Sequence, residues 1–355
     1  MMKAVIITGC NGLIGSESVK FFISKGYRVI GIDNDMRSYF FGNESSTKHI
    51  GDSLQEEFDN FTLHNIDIRD YSSLESIFKK ESSNIEIIIH TAAQPSHDWA
   101  SKEPLTDFTI NALGTVNLLE LFRLNCPKAS FIFTSTNKVY GDRPNQLPLI
   151  ELDKRYECII DNDLFSIDEN MSIDNSKHSI FGASKVSADI FVQEYGKYFN
   201  LNTVVFRGGC LTGKNHKGSE LHGFLSYLVK CAIKNKKYTI FGYKGKQVRD
   251  NIHSSDLVNM FWHFHQNPKC GEIYNAGGGR DNSVSILESI DKINYYSKLN
   301  WNNYEISLQE RSGDHQWYIS DLTKFKNHYP EWSVKISIDQ IIKEMVELEL
   351  KLNNY

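Results

Sequence analysis

Short β-branched runs alternate with helical segments through the first 140 residues, and this alternation constrains the fold more than any other feature. Strand-like runs occur at AVIITG, RVIGID, FTLHNID, IEIIIHTAA and SFIFTST, and the helical segment SVKFFISKG separates the first two. Parallel strands need a crossover connection, and such crossovers are nearly always right-handed. The order therefore predicts an α/β fold, a doubly wound parallel sheet with helices on both faces.

The rest of the chain is less regular. Residues 141–177 are polar, acidic and weakly periodic, which predicts a long loop. A helix is predicted over residues 181–199, and strands are predicted over residues 203–207 and 272–276. The chain shows no internal repeat, low-complexity tract or clean linker, so we expect a second, smaller α/β region that is interwoven with the first. The predicted boundaries are 1–207 plus about 250–276 for the first domain, and about 208–249 and 277–355 for the second.

Charge and cysteine content exclude several classes of protein. The 39 Lys+Arg and 44 Asp+Glu give a net charge of −5, and the absence of a dense basic run predicts neither a nucleic acid partner nor an anionic membrane partner. The six cysteines form no CxxC pair, which favours free thiols in a reducing compartment and suggests no metal site. The chain begins without a signal-like segment and has no apolar stretch of spanning length, so a cytoplasmic protein is expected.

The turn after the first strand has the composition of a phosphate-binding loop. In TGCNGLIGSESV, Gly9, Gly12 and Gly15 form a GxxGxxG pattern directly before a helix. Glycines there permit a tight turn and a close approach to a pyrophosphate, which the positive end of the helix favours. Glycine used only for the geometry of a strand-to-helix turn is the alternative. The other predicted contacts in this turn are Asn11, Leu13 and Ile14.

The second strand ends in a carboxylate that indicates which dinucleotide binds. Asp33 closes RVIGID, where it can accept both hydroxyls of an adenosine ribose and would repel the phosphate of NADP. The sequence therefore favours NAD, although Arg37 close behind leaves tolerance for NADP open. The alternative for Asp33 is an ordinary polar strand end.

Matching motifs from the first strand to beyond residue 320 resemble the extended short-chain dehydrogenase/reductase family, whose nucleotide-binding domain is a Rossmann fold. Within that family the chain is most similar to nucleotide-sugar epimerases. The resemblance implies NAD as cofactor and a nucleotide-diphosphate sugar as the binding partner. The cofactor contacts that it implies are Asp67 and Ile68 in HNIDIRD at the adenine, Ala92, Ala93 and Gln94 in HTAAQPS along the cofactor, and Asn111 in NALGT behind the nicotinamide.

The segment TSTNKVYG carries the strongest indication of chemistry. By the same resemblance, Thr136 would hydrogen-bond the sugar hydroxyl that is oxidised, while Asn137 and Lys138 stand where sugar 4,6-dehydratases have an Asp-Glu pair. An amide and an ammonium cannot replace a general acid and a general base, which argues against a dehydratase. TNKVYG and the later FGYKGKQVRDNIHSSDL instead resemble the CDP-paratose 2-epimerase subgroup.

Basic side chains are the candidates for binding the substrate. The resemblance places Arg249, in KGKQVRD, at the nucleotide diphosphate, a role that suits the planar donors of a guanidinium. A structural salt bridge is the alternative for Arg249. The further candidates for the sugar-nucleotide site are Arg207, Arg311 and His178.

The stretch HSIFGASK departs from the family pattern. A YxxxK pair on one helical face usually provides the tyrosine that accepts the hydroxyl proton, and here Phe181 precedes Lys185 by four residues. By the same resemblance, Lys185 would still contact the nicotinamide ribose and supply positive charge. The proton acceptor must therefore be another group, and His178, Tyr140, Cys210 and water are the candidates that the sequence offers.

Taken together, the motifs predict an NAD-dependent nucleotide-sugar epimerase of the kind used in polysaccharide biosynthesis. A sugar carbon would be oxidised transiently to a ketone and reduced from the opposite face, with C2 of a CDP-sugar as the expected position. Two alternatives remain open. One is a protein that binds NAD and sugar nucleotide but has lost turnover, and the other is a one-way dehydrogenase or reductase. A homo-oligomer is expected in each case.

Overall fold

The computed structural model describes residues 2–213, 223–309 and 313–353. Strands occur throughout the described chain, and they are β1 (Ala4–Thr8), β2 (Arg28–Ile32), β3 (Phe61–His64), β4 (Ile85–His90), β5 (Ser130–Thr136), β6 (Leu149–Glu151), β7 (Tyr156–Ile160), β8 (Asp163–Leu164), β9 (Asn202–Gly208), β10 (Cys210–Thr212), β11 (Tyr238–Phe241), β12 (Val248–His253), β13 (Glu272–Ala276), β14 (Ser283–Ser285), β15 (Tyr304–Ser307) and β16 (Trp317–Tyr318).

Helices alternate with the first strands and then dominate the end of the chain. They are α1 (Leu13–Ser24), α2 (Met36–Phe41), α3 (Lys48–Glu57), α4 (Tyr71–Glu81), α5 (His97–Lys102), α6 (Pro104–Phe108), α7 (Gly114–Asn125), α8 (Ser179–Phe199), α9 (Phe224–Ile233), α10 (Ser254–Gln266), α11 (Ile286–Ser297), α12 (Thr323–His328) and α13 (Ile338–Asn353). A π-helical turn, Thr109–Leu113, joins α6 to α7.

Seven strands form the main sheet in the order β13-β9-β5-β4-β1-β2-β3. Strand β1 pairs in parallel with β2 and β4, and the parallel pairing continues outward to β3 on one side and β5 on the other. The chain starts in the middle of the sheet and winds first to one edge and then to the other. This is the doubly wound order of a Rossmann fold, so the predicted fold class is confirmed.

The central strands are buried on both faces, which explains their unbroken apolar sequences. All five side chains of β1 have 0% exposure. Apolar residues of α4, α7 and α8 cover the sheet, among them Phe78, Phe122 and Val192. Strands covered on both faces contain continuous Val and Ile runs rather than alternating patterns, as AVIIT and IEIII show.

The prediction that residues 141–177 form one long loop is wrong. Part of this segment folds into the small antiparallel sheet β6-β7-β8, in which Leu149 faces Cys158 and Ile159 faces Leu164. The strands are only two to five residues long. Runs of this length are too short to establish a period of two, so pairing partners decide their structure.

The chain divides into two compact units. Unit 1 comprises Met1–Val139, Ile180–Arg207 and Leu257–Tyr274, and unit 2 comprises Tyr140–Ser179, Gly208–Asp256 and Asn275–Tyr355. These boundaries differ from the predicted ones, because residues 140–179 and 250–256 group with unit 2. The reason for the second difference is that β12 pairs with β10, β14 and β16 in a separate sheet.

Unit 2 has a hydrophobic core of its own. Helices α9, α11 and α13 pack together through side chains such as Leu228, Ile290 and Ile342, all nearly inaccessible to solvent. No helix among the described residues is long and apolar enough to cross a membrane.

Candidate active site

The predicted cofactor residues of unit 1 follow the carboxyl ends of neighbouring parallel strands. In an open parallel sheet these ends meet at one edge, where ligands bind. Each of the first five strands contributes: Gly9 follows β1, Asp33 follows β2, Asp67 lies beyond β3, Ala92 and Ala93 lie beyond β4, and Thr136 ends β5. The structure therefore brings together residues that are far apart in the sequence.

The glycine turn is shaped so that only glycine fits at Gly9. The residue has a φ of 69°, and a Cβ atom there would lie 2.7 Å from the backbone nitrogen of Ala92. At Gly15 a Cβ atom would collide with the carbonyl oxygen of Gly9, so this glycine lets α1 start close to the strand. Gly12 precedes α1 as its N-cap without a side-chain cap, so the first turn presents backbone N–H groups of the kind that bind phosphate. The turn fits a dinucleotide pyrophosphate.

The carboxylate of Asp33 is fixed beside this turn. Its Oδ2 accepts a hydrogen bond from the Asn11 nitrogen at 3.0 Å, and its Oδ1 accepts one from the Asp35 nitrogen at 2.9 Å. Burial raises the pKa of Asp33, although the two backbone donors act in the opposite direction. Each carboxylate oxygen keeps a further lone pair for a ribose hydroxyl. The geometry fits the predicted role in selecting NAD.

Asp67 belongs to a second polar group close to Asp33 in the fold. Its Oδ2 accepts hydrogen bonds from Arg69 Nη2 at 2.6 Å and from Asn34 Nδ2 at 3.0 Å. Burial would raise the pKa of Asp67, but the bonds from Arg69 outweigh burial and hold it below its ordinary value. Asp67 is therefore an anion whose orientation is set by Arg69 and Asn34. Ile68, its neighbour, is 6% exposed and packs in the core.

Lys185 is buried against the strand that ends in Thr136. Its Nζ donates to the carbonyl oxygen of Thr134 at 2.9 Å and lies 4.1 Å from the centre of the Phe133 ring. Burial lowers the pKa of Lys185 to about 7, while the carboxylates of Asp189 and Asp107 act in the opposite direction. The structure thus places the side-chain nitrogen of Lys185 against the carbonyl of Thr134, two residues before the predicted sugar-binding Thr136.

The two residues directly after Thr136 are not carboxylates. Thr136 Oγ1 accepts a hydrogen bond from the Lys138 nitrogen at 3.2 Å, which closes a short 3₁₀ turn over Asn137–Tyr140. Asn137 is buried and Lys138 is half-buried. The turn therefore holds an amide and an ammonium at the two positions that the sequence analysis compared with a dehydratase acid/base pair.

Asn111 is the centre of a buried hydrogen-bond network. It lies in the π-helical turn, its Oδ1 accepts from the Gln94 nitrogen at 2.9 Å, and its Nδ2 donates to the Gln94 carbonyl at 3.1 Å and to Ser184 Oγ at 3.1 Å. The network connects the segment after β4 with the helix that carries Lys185. π-Helical turns of this kind often occur at functional sites.

Phe181 contacts a histidine that sequence reasoning missed. The rings of His97 and Phe181 lie edge to face, with centroids 4.9 Å apart and an interplanar angle of 65°. Phe181 is buried, whereas His97 is half-buried. The two positions are 84 residues apart in the sequence, which gave no local indication of this contact, and only the order of the parallel strands could have suggested it.

Arg207 is engaged inside unit 1. Its Nε and Nη2 donate to the two carboxylate oxygens of Asp189 at 3.1 and 2.9 Å, and the two side chains are 3% and 1% exposed. Ser135 and Gln193 donate to the same carboxylate. This arrangement is a buried ion pair, and the substrate contact of Arg207 stays a prediction. The sequence could not show that Asp189, on α8, faces the end of β9.

The remaining substrate candidates lie in unit 2 or outside the described residues. Arg249 Nη2 donates to Asp314 Oδ1 at 2.6 Å, and Nη1 donates to the carbonyl of Val248 at 2.7 Å. The salt bridge that the sequence analysis left open for Arg249 is therefore present. His178 is half-buried just before α8. Arg311 lies outside the described residues.

The arrangement in unit 1 can hold a dinucleotide and polarise a hydroxyl beside it. The glycine turn and Asp33 fit the pyrophosphate and the adenosine ribose, while Lys185 and Thr136 stand at the other end of the same sheet edge. Among the described residues, no group of three or more His, Cys, Asp or Glu side chains could hold a metal ion.

Comparison with known proteins identifies the class. Residues 5–277 match the NAD dependent epimerase/dehydratase family. The match covers most of the chain, so the protein belongs to this family and NAD is its cofactor.

Individual relatives are similar over the full length of the chain. CDP-paratose 2-epimerase from Salmonella typhi is 31% identical over 353 residues, which is 98% of each chain. The solved structure of a dTDP-glucose 4,6-dehydratase from Bacillus anthracis in complex with NAD has a TM-score of 0.78, with 23% identity over 99% of this chain and 98% of the other. A UDP-glucose 4-epimerase from Thermotoga maritima, solved with UDP-glucose, has a TM-score of 0.77, with 24% identity over 99% of both chains. The two structures show the shared fold.

Proposed function

We propose that the protein is an NAD-dependent nucleotide-sugar epimerase that inverts C2 of a CDP-sugar through a transient ketone. The observation that carries the proposal is the position of Lys185, which is buried and bonded to the strand that ends in Thr136. Bound NAD supplies reversible hydride acceptance at the sugar carbon. The similarity to a CDP-paratose 2-epimerase supports both the nucleotide and the carbon atom.

In the proposed function, different residues of this chain bind different parts of the cofactor and the substrate. Gly9, Asn11, Gly12, Leu13, Ile14 and Gly15 hold the pyrophosphate, Asp33, Asp67 and Ile68 hold the adenosine, and Ala92, Ala93, Gln94 and Asn111 line the remainder of the cofactor site. Thr136 holds the reacting hydroxyl. Lys185 holds the nicotinamide ribose, and its buried positive charge favours removal of the hydroxyl proton.

The absence of carboxylates at Asn137 and Lys138 supports epimerisation over dehydration. A dehydratase must protonate a leaving hydroxyl and remove a proton from carbon, which an amide and an ammonium do not accomplish as a pair. Phe181 is the feature that favours the alternative, a binding protein without turnover, because it lacks the phenol that the YxxxK pattern provides.

Incubation with nucleotide sugars in D₂O, followed by ¹H NMR, tests the function. We expect a CDP-sugar to be inverted at C2 and to retain its own hydrogen there, because the hydride returns from the cofactor. Deuterium at the carbon next to a new ketone would indicate a dehydratase, and net accumulation of NADH would indicate a one-way dehydrogenase. No conversion of CDP-, UDP-, GDP- or dTDP-sugars by protein that retains NAD would favour the binding protein.

A further inference from the structure

The side chain of Gln94 holds the segment that follows β4 through hydrogen bonds. Gln94 Oε1 accepts a hydrogen bond from the Ser96 nitrogen at 2.5 Å, and Gln94 Nε2 donates to the Ser96 carbonyl at 2.8 Å and to Asp107 Oδ1 at 2.7 Å. Gln94, Ser96 and Asp107 are each 1 or 2% exposed. These buried hydrogen bonds hold both the nitrogen and the carbonyl of Ser96. The residue after Ser96 therefore has a defined position.

That residue is His97, the first of helix α5. Ser96 caps the helix, because its hydroxyl accepts a hydrogen bond from the Trp99 nitrogen at 3.3 Å. The segment after β4 thus brings the imidazole against the Phe181 ring, with a distance of 4.9 Å between the ring centroids.

The helix that carries Phe181 is connected to the same network. Ser184 Oγ donates to the Phe181 carbonyl at 3.0 Å and accepts from Asn111 Nδ2 at 3.1 Å. Asn111 also donates to Asp107 Oδ1 at 3.0 Å, the atom that Gln94 contacts. One buried network thus connects the segment before His97 with the helix that carries Phe181.

We infer that His97 accepts the proton of the sugar hydroxyl, the task for which Phe181 lacks an oxygen. The inference rests on the proposed epimerase function. The imidazole adjoins the ring whose tip would carry the phenol in a YxxxK enzyme, and it is more exposed than Phe181 or Lys185, which are 7% and 3% exposed. Neutral imidazole is the commonest general base at physiological pH.

The proton and electron balance of the step is simple. The O–H bond of the sugar hydroxyl breaks and its proton goes to an imidazole nitrogen, while the C–H electron pair leaves with the hydrogen as hydride to NAD. The C–O bond becomes the carbonyl of the ketone. On the return, hydride adds to the other face of the ketone, and the imidazolium gives its proton back to the oxygen. His97 ends each cycle in the protonation state in which it began.

Two substitutions of His97 test the assignment in the full-length protein with bound NAD. His97→Gln and His97→Ala should each lower the rate of epimerisation about 10²- to 10⁴-fold, the usual worth of a general base. The NAD content and the affinity for nucleotide sugar should stay within about twofold. His49→Ala, which removes an exposed histidine on α3, should leave all three quantities unchanged.

Two rescue experiments distinguish a proton acceptor from a structural residue. Imidazole in the buffer should restore part of the activity of His97→Ala. Adding Phe181→Tyr to His97→Ala should restore activity more fully, because a phenol then stands beside Lys185 on the same helical face. A merely structural role of His97 would respond to neither treatment.

A measurement without turnover completes the test. The ring ¹⁵N resonances of His97 should shift when a nucleotide sugar binds to the NAD-loaded protein, because the sugar hydroxyl donates to the ring. Unchanged resonances with bound sugar, or full activity of His97→Gln, would refute the role of His97 while leaving the epimerase function intact. A natural protein that binds NAD and sugar nucleotides but converts none of them would refute both.

Discussion

The Nζ atom of Lys185 lies 2.9 Å from the carbonyl oxygen of Thr134, in a site where the lysine side chain is almost completely removed from solvent. Burial of an ammonium is unfavourable unless it is compensated, and the pKa of Lys185 is lowered to about 7. The unfolded chain has a lysine pKa of about 10.4. The protein without NAD therefore loses stability on account of Lys185, and the cost depends on pH.

The sign of this dependence gives the first prediction. Between about pH 7 and pH 10 the unfolded chain binds more protons than the folded one, so the contribution of Lys185 to stability improves as pH rises. Lys185→Met should raise the free energy of unfolding of the NAD-free protein at pH 7 by on the order of 3 kcal/mol, and the gain should shrink toward pH 10. Urea unfolding at both pH values measures it.

Lys197→Met is the matched control, because Lys197 is an exposed lysine on the same helix. It should change the stability by less than about 0.5 kcal/mol at either pH. A destabilised Lys185→Met at pH 7 would contradict the burial argument. The same variant should bind NAD more weakly, since it lacks the proposed ribose contact.

The second prediction concerns the glycine turn. Gly9→Ala should abolish retention of NAD during purification, because the new Cβ would lie 2.7 Å from the Ala92 nitrogen and push the turn away from the pyrophosphate. Gly26 also has a positive φ, 85°, but a Cβ there meets nothing within 4 Å. Gly26→Ala should therefore cost only about 1 to 2 kcal/mol of stability and leave NAD content unchanged. Equal NAD content in the two variants would remove the basis for this assignment.

The third prediction tests the choice of dinucleotide. Asp33→Ala should weaken NAD binding by about 1.5 to 3 kcal/mol, the usual value of hydrogen bonds to a charged group, and should narrow the preference for NAD over NADP. The reason is that the carboxylate both accepts the ribose hydroxyls and repels an added phosphate. Titration calorimetry with both dinucleotides measures the change. Asp59→Ala, at an exposed position, serves as control, and an unaltered NAD/NADP ratio in Asp33→Ala would contradict the role.

Much of unit 1 could be predicted from the sequence because short stretches of sequence determine its strands and the turns that follow them. A buried parallel strand needs a continuous apolar run, and Gly9 and Asp33 occur directly after such runs. The ends of the predicted strands therefore indicated the edge of the sheet at which the cofactor was expected to bind. The motif HSIFGASK likewise predicted that Lys185 lies on a helix, which α8 confirms.

Long-range pairing could not be predicted in the same way. Whether Arg207 faces substrate or Asp189 depends on the packing of α8 against β9, and neither segment contains that information alone. The strands β6, β7 and β8 are too short to show a period, and β12 joins the sheet of unit 2 although it directly precedes a helix of unit 1. His97 was missed for the same reason, because its contact with Phe181 exists only once β4 and α8 are both in place.

The fourth prediction concerns Arg207, one of the arginines that were expected to bind substrate. Arg207→Ala leaves the Asp189 carboxylate buried without its cation, which should lower the free energy of unfolding by about 3 to 5 kcal/mol. Arg123 forms a partly exposed pair with Glu120, and Arg123→Ala should cost less than about 1 kcal/mol. Guanidinium chloride unfolding compares the two. A small effect at Arg207 would show that the ion pair contributes little to stability and would favour the predicted substrate role of Arg207.

The last prediction concerns Arg249, whose guanidinium is shared between Asp314 and the Val248 carbonyl. If Arg249 also binds the nucleotide diphosphate, Arg249→Ala should weaken binding of a CDP-sugar by about 2 kcal/mol, the value of a charge-assisted contact. Asp314→Asn keeps the shape of the partner but removes its charge, so it should lower stability without this loss of binding. Calorimetry with a CDP-sugar and thermal unfolding should be measured on both variants. Equal destabilisation of the two variants with unchanged binding in both would show that Arg249 only holds Asp314, and the diphosphate would then need another cation.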